Sequence, residues 1–260
     1  MSPEPQNPTG RFTGLAEAYA KYRPSYPATA IDGIIGHCGL DSASLLVDVG
    51  CGTGISSRLF ADRGIRVLGI EPNAEMRATA SANTVSPGTQ AVVYQDGRAE
   101  ATGLPNAIAN AVLAAQAFHW FDPDAALSEF HRILKPNGWV ILMWNERDER
   151  DHFTAAYGAI IRSAPDALAT ELPRGRAGEA LLANRMYVNA EKRLFYQEQT
   201  LDEEGLLGRA FSASYAPRDP DGRKAWARSL KDLFARHQSS ESVRIRYETS
   251  VYLAQQAPQG

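Results

Sequence analysis

The chain has 260 residues, 44% of them hydrophobic and 22% charged, with a formal net charge of −3 and a pI near 6.0. That length and apolar fraction fit one large or two small globular domains with a substantial core, and the mild acidity argues against a dedicated nucleic-acid binder, which carries a basic stripe. No apolar run approaches the roughly 20 residues of a membrane helix, so no membrane partner is expected, and the two cysteines, Cys38 and Cys51, suit a reducing compartment, here the cytoplasm.

The opening MSPEPQNPTG is polar and proline-rich and lacks the apolar stretch of a signal peptide, so residues 1–10 are expected to be a frayed tail. Residues 11–260 are expected to form one domain. The segment FTGLAEAYAKYRPSYP brings Phe12, Tyr19, Tyr22, Arg23 and Tyr26 together, more aromatics than a surface segment carries without something to cover. Ile31, Ile34, Ile35 and Cys38 then recur at helical spacing, giving an N-terminal lid and helix over 11–40. LLVDV is a buried strand, and after three alternate glycines ISSRLFADRG is a short helix closed by Gly64. IRVLGI is a second strand ending at Glu71, and NAEMRATASA is a helix capped by Asn73. AVVYQ is a third strand, and AVLAAQAF a fourth whose unbroken apolar run suits burial on both faces. DPDAALSEFHRIL is a helix with Pro123 in its first turn; KPNG breaks the chain, and WVILMWN is a fifth strand.

Strand–helix alternation over 45–147 implies a parallel sheet with helices on both faces. An insert over 148–190 reads as helical and loop-rich, with Phe153, Tyr157, Ile160 and Ile161 on one face. Residues 191–255 add the strand RLFYQEQT, the helix WARSLKDLF and a last strand. There Val243, Ile245, Tyr247, Thr249, Val251 and Leu253 alternate with Arg244, Arg246, Glu248 and Ser250. That period of two predicts one wet face and an antiparallel strand at the far edge of the sheet.

The chemistry is concentrated at VDVGCGTG. Gly50, Gly52 and Gly54 follow the first strand directly and open a helix, so the main chain can take strained dihedrals and let a ligand approach free N–H donors. Their spacing is G-x-G-x-G, not the dinucleotide fingerprint G-x-G-x-x-G. Asp48 precedes them at the strand's carboxyl end, and Glu71 ends the second strand 17 residues after Gly54, where an acid can accept from both ribose hydroxyls. A ribose-bearing ligand is therefore expected, with no pyrophosphate required; the bland alternative is a tight turn beside solvated acids.

VDVGCGTG followed by GIEPNAEM resembles the first motif and following acid of class I S-adenosylmethionine-dependent methyltransferases, and the similarity continues through GRAEATGLP, AAQAFHWFD and EFHRILKPNGWVILMWN. YAKYRPSYP and AQAFHWFD are similar to the small-molecule branch that includes trans-aconitate methyltransferases. The resemblance implies a doubly wound, Rossmann-like α/β sheet of seven strands, mostly parallel with a late antiparallel strand, helices on both faces and helical lid elements. It implies S-adenosyl-L-methionine as cofactor, S-adenosyl-L-homocysteine as product, a small-molecule acceptor methylated on a carboxylate or hydroxyl oxygen, and no metal. Asp48, Gly50, Gly52 and Gly54 would surround the methionine part, Glu71 the ribose, Pro72 and Met76 the adenine face, Ala99 and Glu100 the adenine edge, and Gln116 and Ala117 the floor beneath the sulfonium. Relatives commonly carry an aspartate where this chain has Arg98; an arginine accepts no hydrogen bond, so that contact would pass to Glu100 or a backbone carbonyl.

Tyr19 or Arg23 of the lid would reach the cofactor's carboxylate, for which a guanidinium fork is suited. Tyr22, His119 and Trp120 are the expected acceptor-side residues, with His119 either a general base or a structural histidine. The insert would roof the pocket, with Arg174, Arg176 and Arg185 either attracting an acid or simply solvated. Two other enzymes compete with this reading. An NAD-dependent oxidoreductase would want the longer glycine spacing, and a nucleic-acid methyltransferase would want an Asn/Asp-Pro-Pro-aromatic run where this chain has AQAF. A cofactor-binding module without turnover is the third alternative.

Overall fold

In the computed structural model, which describes residues 14–83, 91–164, 167 and 177–258, seven strands form one sheet in the order β3-β2-β1-β4-β5-β7-β6. They are β1 (Leu45–Val49), β2 (Arg66–Ile70), β3 (Val93–Gln95), β4 (Ala109–Ala115), β5 (Leu134–Arg147), β6 (Tyr187–Leu201) and β7 (Val243–Gln256). β1 to β5 pair in parallel, and β7 runs antiparallel to both β5 and β6. The order reverses between β1 and β4, and ligands of open α/β sheets bind in the crevice beyond the strand ends at such a point.

Helices cover both faces. On one side α1 (Ala16–Tyr22) leads into α2 (Ala28–Cys38), which packs Ile31 and Ile34 with Phe60 of α3 (Ile55–Ala61) against Leu46, Leu113 and Ile141. Pro27 stiffens the entry to α2 and Gly39, at φ +62, closes it. Gly64 stands three residues beyond α3 at φ +82, and Ile65 N–H bonds back to Phe60 O at 3.2 Å, so the glycine turns the chain into β2. α4 (Ala74–Ala82) begins at Asn73, whose side chain accepts from Met76 N–H. On the other face α5 (Pro123–Ile133) buries Leu127, Phe130 and Ile133 against Val112, Val140 and Leu142. Its Asp122 cap accepts from the N–H groups of Asp124 and Ala125.

A third apolar cluster lies beyond the carboxyl ends of β5 and β6. α6 (His152–Arg162), α7 (Glu203–Phe211) and α8 (Pro220–His237) enclose Tyr157, Leu206, Leu230 and Tyr247 there.

Five sequence expectations change. The third strand is cut to Val93–Gln95, at the sheet edge, where Val93 is exposed. The fourth strand stops at Ala115 because Gln116 takes φ +56, and Phe118–Trp120 form a 3₁₀ turn. KPNG does not separate helix from strand: Leu134 pairs with Ala109, the register shifts, and Asn137 at φ +64 lets pairing resume at Trp139. The last strand lies between β5 and β6, not at the edge. Its wet face ends near Glu248, because beyond it both faces are covered and Thr249 to Ala254 are buried. β6 is the edge strand, and it begins at Tyr187, inside the expected insert. The expected tail, Phe12, Arg174 and Arg176 fall outside the described residues.

Candidate active site

The glycine turn is built from β1 outward. Gly50 N–H bonds Ile70 O at 2.8 Å, so the turn starts by locking onto the end of β2. Gly50 stands at φ +69, and a Cβ there would lie 2.7 Å from the Ala117 Cβ and 3.0 Å from the Phe121 ring, so only glycine lets the turn pass beneath the loop after β4. Gly52 stands at φ +56 with open space where a Cβ would project. Its N–H donates to Glu71 Oε2 at 3.0 Å, and Asn73 N–H donates to Oε1 at 2.9 Å. Burial raises the Glu71 carboxyl above the usual carboxylate range, against those two N–H bonds and the nearby Arg77 guanidinium. Arg77 holds the strand end itself, donating to Glu71 O at 2.6 Å and Asp96 Oδ1 at 2.9 Å.

Gly50, Gly52 and Glu71 face a single cavity of about 320 Å³, within the usual range for a small-molecule site. Pro72 and Met76 line it beside Glu71, and Ala99 and Glu100 come from the loop after β3. That loop is pinned from below: Thr102 N–H donates to Glu129 Oε1 at 2.8 Å, and Arg132 clasps the same carboxylate. Arg98 is on the wall but largely in solvent, 4.0 Å from Glu100 Oε2, while Glu100 Oε1 takes Asp122 N–H at 3.1 Å. Gln116, Ala117 and Trp120 close the side beneath β4. The left-handed Gln116 is fixed by its N–H on Met143 O at 2.7 Å and its amide on Asn145 O at 3.1 Å.

Tyr19 and Arg23 reach the same cavity from the N-terminal segment. Arg23 stacks over the Tyr19 ring and donates from Nη2 to Ser212 O at 3.2 Å. The linker after α1 is tied to the sheet: Ser25 O accepts from Asn145 Nδ2 and Gln197 Nε2, and Tyr22 O from Gln199 Nε2.

Four expected site residues sit elsewhere. Asp48 is fully buried behind the turn, with Oδ2 accepting from Ser56 and Ser57 hydroxyls at 2.7 and 2.6 Å; it shapes the start of α3 and is not on the cavity wall. Burial pushes its carboxyl up to about 6, against the two hydroxyl bonds. Gly54 caps α3 at φ +75, and its missing Cβ makes room for the Tyr94 hydroxyl instead of a ligand. Tyr22 points to α7, where its hydroxyl donates to Glu204 Oε1 at 2.9 Å and its ring lies on Gly208. His119 is off the wall: Trp144 Nε1, which can only donate, bonds His119 Nδ1 at 3.2 Å, and the ring packs at a tilt against Trp120. That contact makes Nδ1 an acceptor.

Arg185 is exposed at the turn before β6, away from the cavity. Besides Arg23 and Arg98, the arginines on the wall are Arg147 and Arg162 near the insert and Arg209 from α7, with Glu149 and Tyr247 also on it. Sequence patterns did not mark them, because they come from separate elements and carry no motif. Burial pushes the Cys51 thiol, also on the wall, well above its ordinary value, which disfavours the thiolate. Among the described residues no three His, Cys, Asp or Glu side chains cluster to hold a metal, and no helix is long and apolar enough to cross a membrane.

A glycine turn after β1, an acid ending β2 and this sheet order together give the doubly wound, Rossmann-like sheet that the sequence resemblance implies, with the cavity at its switch point. Residues 47–142 match the family described as methyltransferase domain. An uncharacterized methyltransferase of Mycobacterium bovis is 38% identical over 150 residues, covering 58% of each chain; the present chain thus matches just over half the length of that relative. An uncharacterized methyltransferase-like protein of Schizosaccharomyces pombe is 25% identical over 247 residues, 92% of this chain and 93% of its own. Among solved structures, a candidate type II methyltransferase from Anaeromyxobacter dehalogenans shares the fold with a TM-score of 0.66 at 22% identity, over 92% of this chain and all of that one.

Proposed function

We propose that the protein transfers a methyl group from S-adenosyl-L-methionine to an oxygen of a small-molecule acceptor. The observation that carries this is the convergence on one cavity of the Gly50–Gly52 main chain and the Glu71 carboxylate, joined by the 3.0 Å bond from Gly52 N–H. The residues fit the donor. Gly52 leaves its Cβ space open for an amino-acid tail, both Glu71 oxygens keep a lone pair for a ribose diol, and Pro72 with buried Met76 offers an apolar wall for a purine. When bound, S-adenosylmethionine supplies an electrophilic methyl group on a sulfonium that leaves readily.

The chain's own residues then align and exclude water. Gln116 and Ala117 form the floor, Trp120 walls one side, and Tyr19 and Arg23 close over the top. Alignment of this kind contributes about 7–11 kcal/mol. The Glu149 carboxylate is already engaged: Arg162 holds it through both guanidinium nitrogens and Arg147 Nε lies 3.4 Å away. His119 is a support and not a base.

Isothermal titration with S-adenosylhomocysteine tests the donor assignment, with NAD as the competing ligand. Heat from NAD and none from S-adenosylhomocysteine defeats it. With labelled donor and a turned-over acceptor, His119→Ala is expected to keep the wild-type shape of the pH–rate profile. A base-dependent limb that vanishes in the variant would restore His119 as the general base.

A further inference from the structure

The cavity ends, away from Glu71, on a buried cation. Arg209 is 7% exposed, and its guanidinium lines the wall. Its Nε donates to Tyr247 Oη at 3.2 Å; that hydroxyl donates onward to Gln199 Oε1 at 3.2 Å, and Gln199 Nε2 donates to Tyr22 O at 3.0 Å. The chain of bonds fixes the fork and spends the Tyr247 proton on Gln199. Among the described residues no carboxylate forms an ion pair with Arg209, whereas Arg162 and Arg147 share Glu149. Glu146, the other acid at this end, accepts from Ser250 Oγ at 3.2 Å and lies near the Lys192 ammonium. The groups around Arg209 are otherwise the phenols of Tyr157, Tyr215 and Tyr247, and Tyr157 Oη is buried with no hydrogen-bond partner.

A guanidinium does not lose its proton, so a buried one requires compensating charge. Here the neighbouring groups are phenol hydroxyls and no carboxylate among the described residues is paired with it, an environment complementary to an oxyanion. Its position separates it from the donor's sugar. β7, which carries Tyr247, is three strands from β1 and four from β2, about 14 and 19 Å across the sheet at the usual strand spacing.

We propose that Arg209, backed by Tyr247, binds an anionic oxygen group of the methyl acceptor, so that the acceptor is a small organic acid bearing a carboxylate or a phosphate. This rests on the methyl-transfer reading, and the experiment separates the two. Full-length protein is first titrated with S-adenosylhomocysteine; absence of binding defeats the methyl-transfer reading itself. The loaded protein is then titrated with succinate, benzoate and inorganic phosphate, and with succinamide and benzamide as neutral counterparts. At least one anion is expected to bind, a carboxylate about tenfold or more tighter than its amide, and the phosphate arm distinguishes the two sources of the oxyanion. Arg209→Gln is expected to weaken the bound anion by about 30-fold or more while S-adenosylhomocysteine affinity stays within about threefold. Equal binding of acids and amides, or no anion bound by the loaded wild type, overturns the proposal. So does Arg209→Gln weakening S-adenosylhomocysteine as much as the anion, since Arg209 would then hold the donor's own carboxylate. Should that variant not fold, the wild-type acid–amide comparison and the milder Tyr247→Phe decide by the same criteria.

Discussion

Gly50 carries two constraints at once, a left-handed φ of +69 and a neighbouring Ala117 Cβ that leaves no room for a side chain. Gly50→Ala is therefore expected to cost about 1–3 kcal/mol of stability, from strain of a non-glycine residue in that region, and to abolish S-adenosylhomocysteine binding; urea midpoints and calorimetry check the two effects. Asp48, a short distance behind, is a buried acid whose carboxyl is raised from 3.8 to about 6. A raised acid binds its proton more tightly in the folded state, so stability is greatest below about pH 4 for this group and is lost as pH rises to about 6. The loss is on the order of 3 kcal/mol. Asp48→Asn is expected to flatten the pH dependence of the urea midpoint over that window, and an unchanged slope would refute it. The notable point at this scale is that the sequence marked Asp48 for its place in a motif, yet its side chain serves the turn from behind, through Ser56 and Ser57.

At the scale of elements, local pattern and neighbours compete. The cap of α5 is a local matter: Asp122 takes two N–H groups that would otherwise be orphaned, and Asp122→Ala is expected to lower stability by about 1 kcal/mol, read as a shift in urea midpoint without change in slope. The end of β4 is not local. The apolar run continues to Phe118, but Gln116 turns left-handed because its N–H and amide are claimed by β5 at Met143 and Asn145. The alternation of β7 likewise holds only as far as its partners allow. β6, left at the edge, exposes Val188, Leu194 and Tyr196 and interleaves them with charged Glu191, Lys192, Arg193 and Glu198, the usual protection of a free edge.

For the whole molecule, the cavity joins parts more than 200 residues apart, from Tyr19 to Tyr247, and a ligand spanning it ties them together. Saturation with S-adenosylhomocysteine at about 100 times its Kd contributes about 2.7 kcal/mol and is expected to raise Tm by roughly 5–10 °C in a chain of this size; no shift in a calorimetric scan would count against the donor site. The glycine turn and the strand-ending acid that face the cavity were legible in the amino-acid sequence because their determinants are local. A buried strand, a glycine turn and a strand-ending acid each declare themselves within a few residues, and the alternation of strands and helices ordered them. Arg147, Arg162, Arg209 and Tyr247 were not legible. Each lies on an ordinary amphipathic element, and only the packing of α6 and α7 against the ends of β5 and β7 brings them to one wall. Periodicity fixes which face of an element is buried, but what that face meets depends on contacts between distant segments, and those the tertiary structure alone decided.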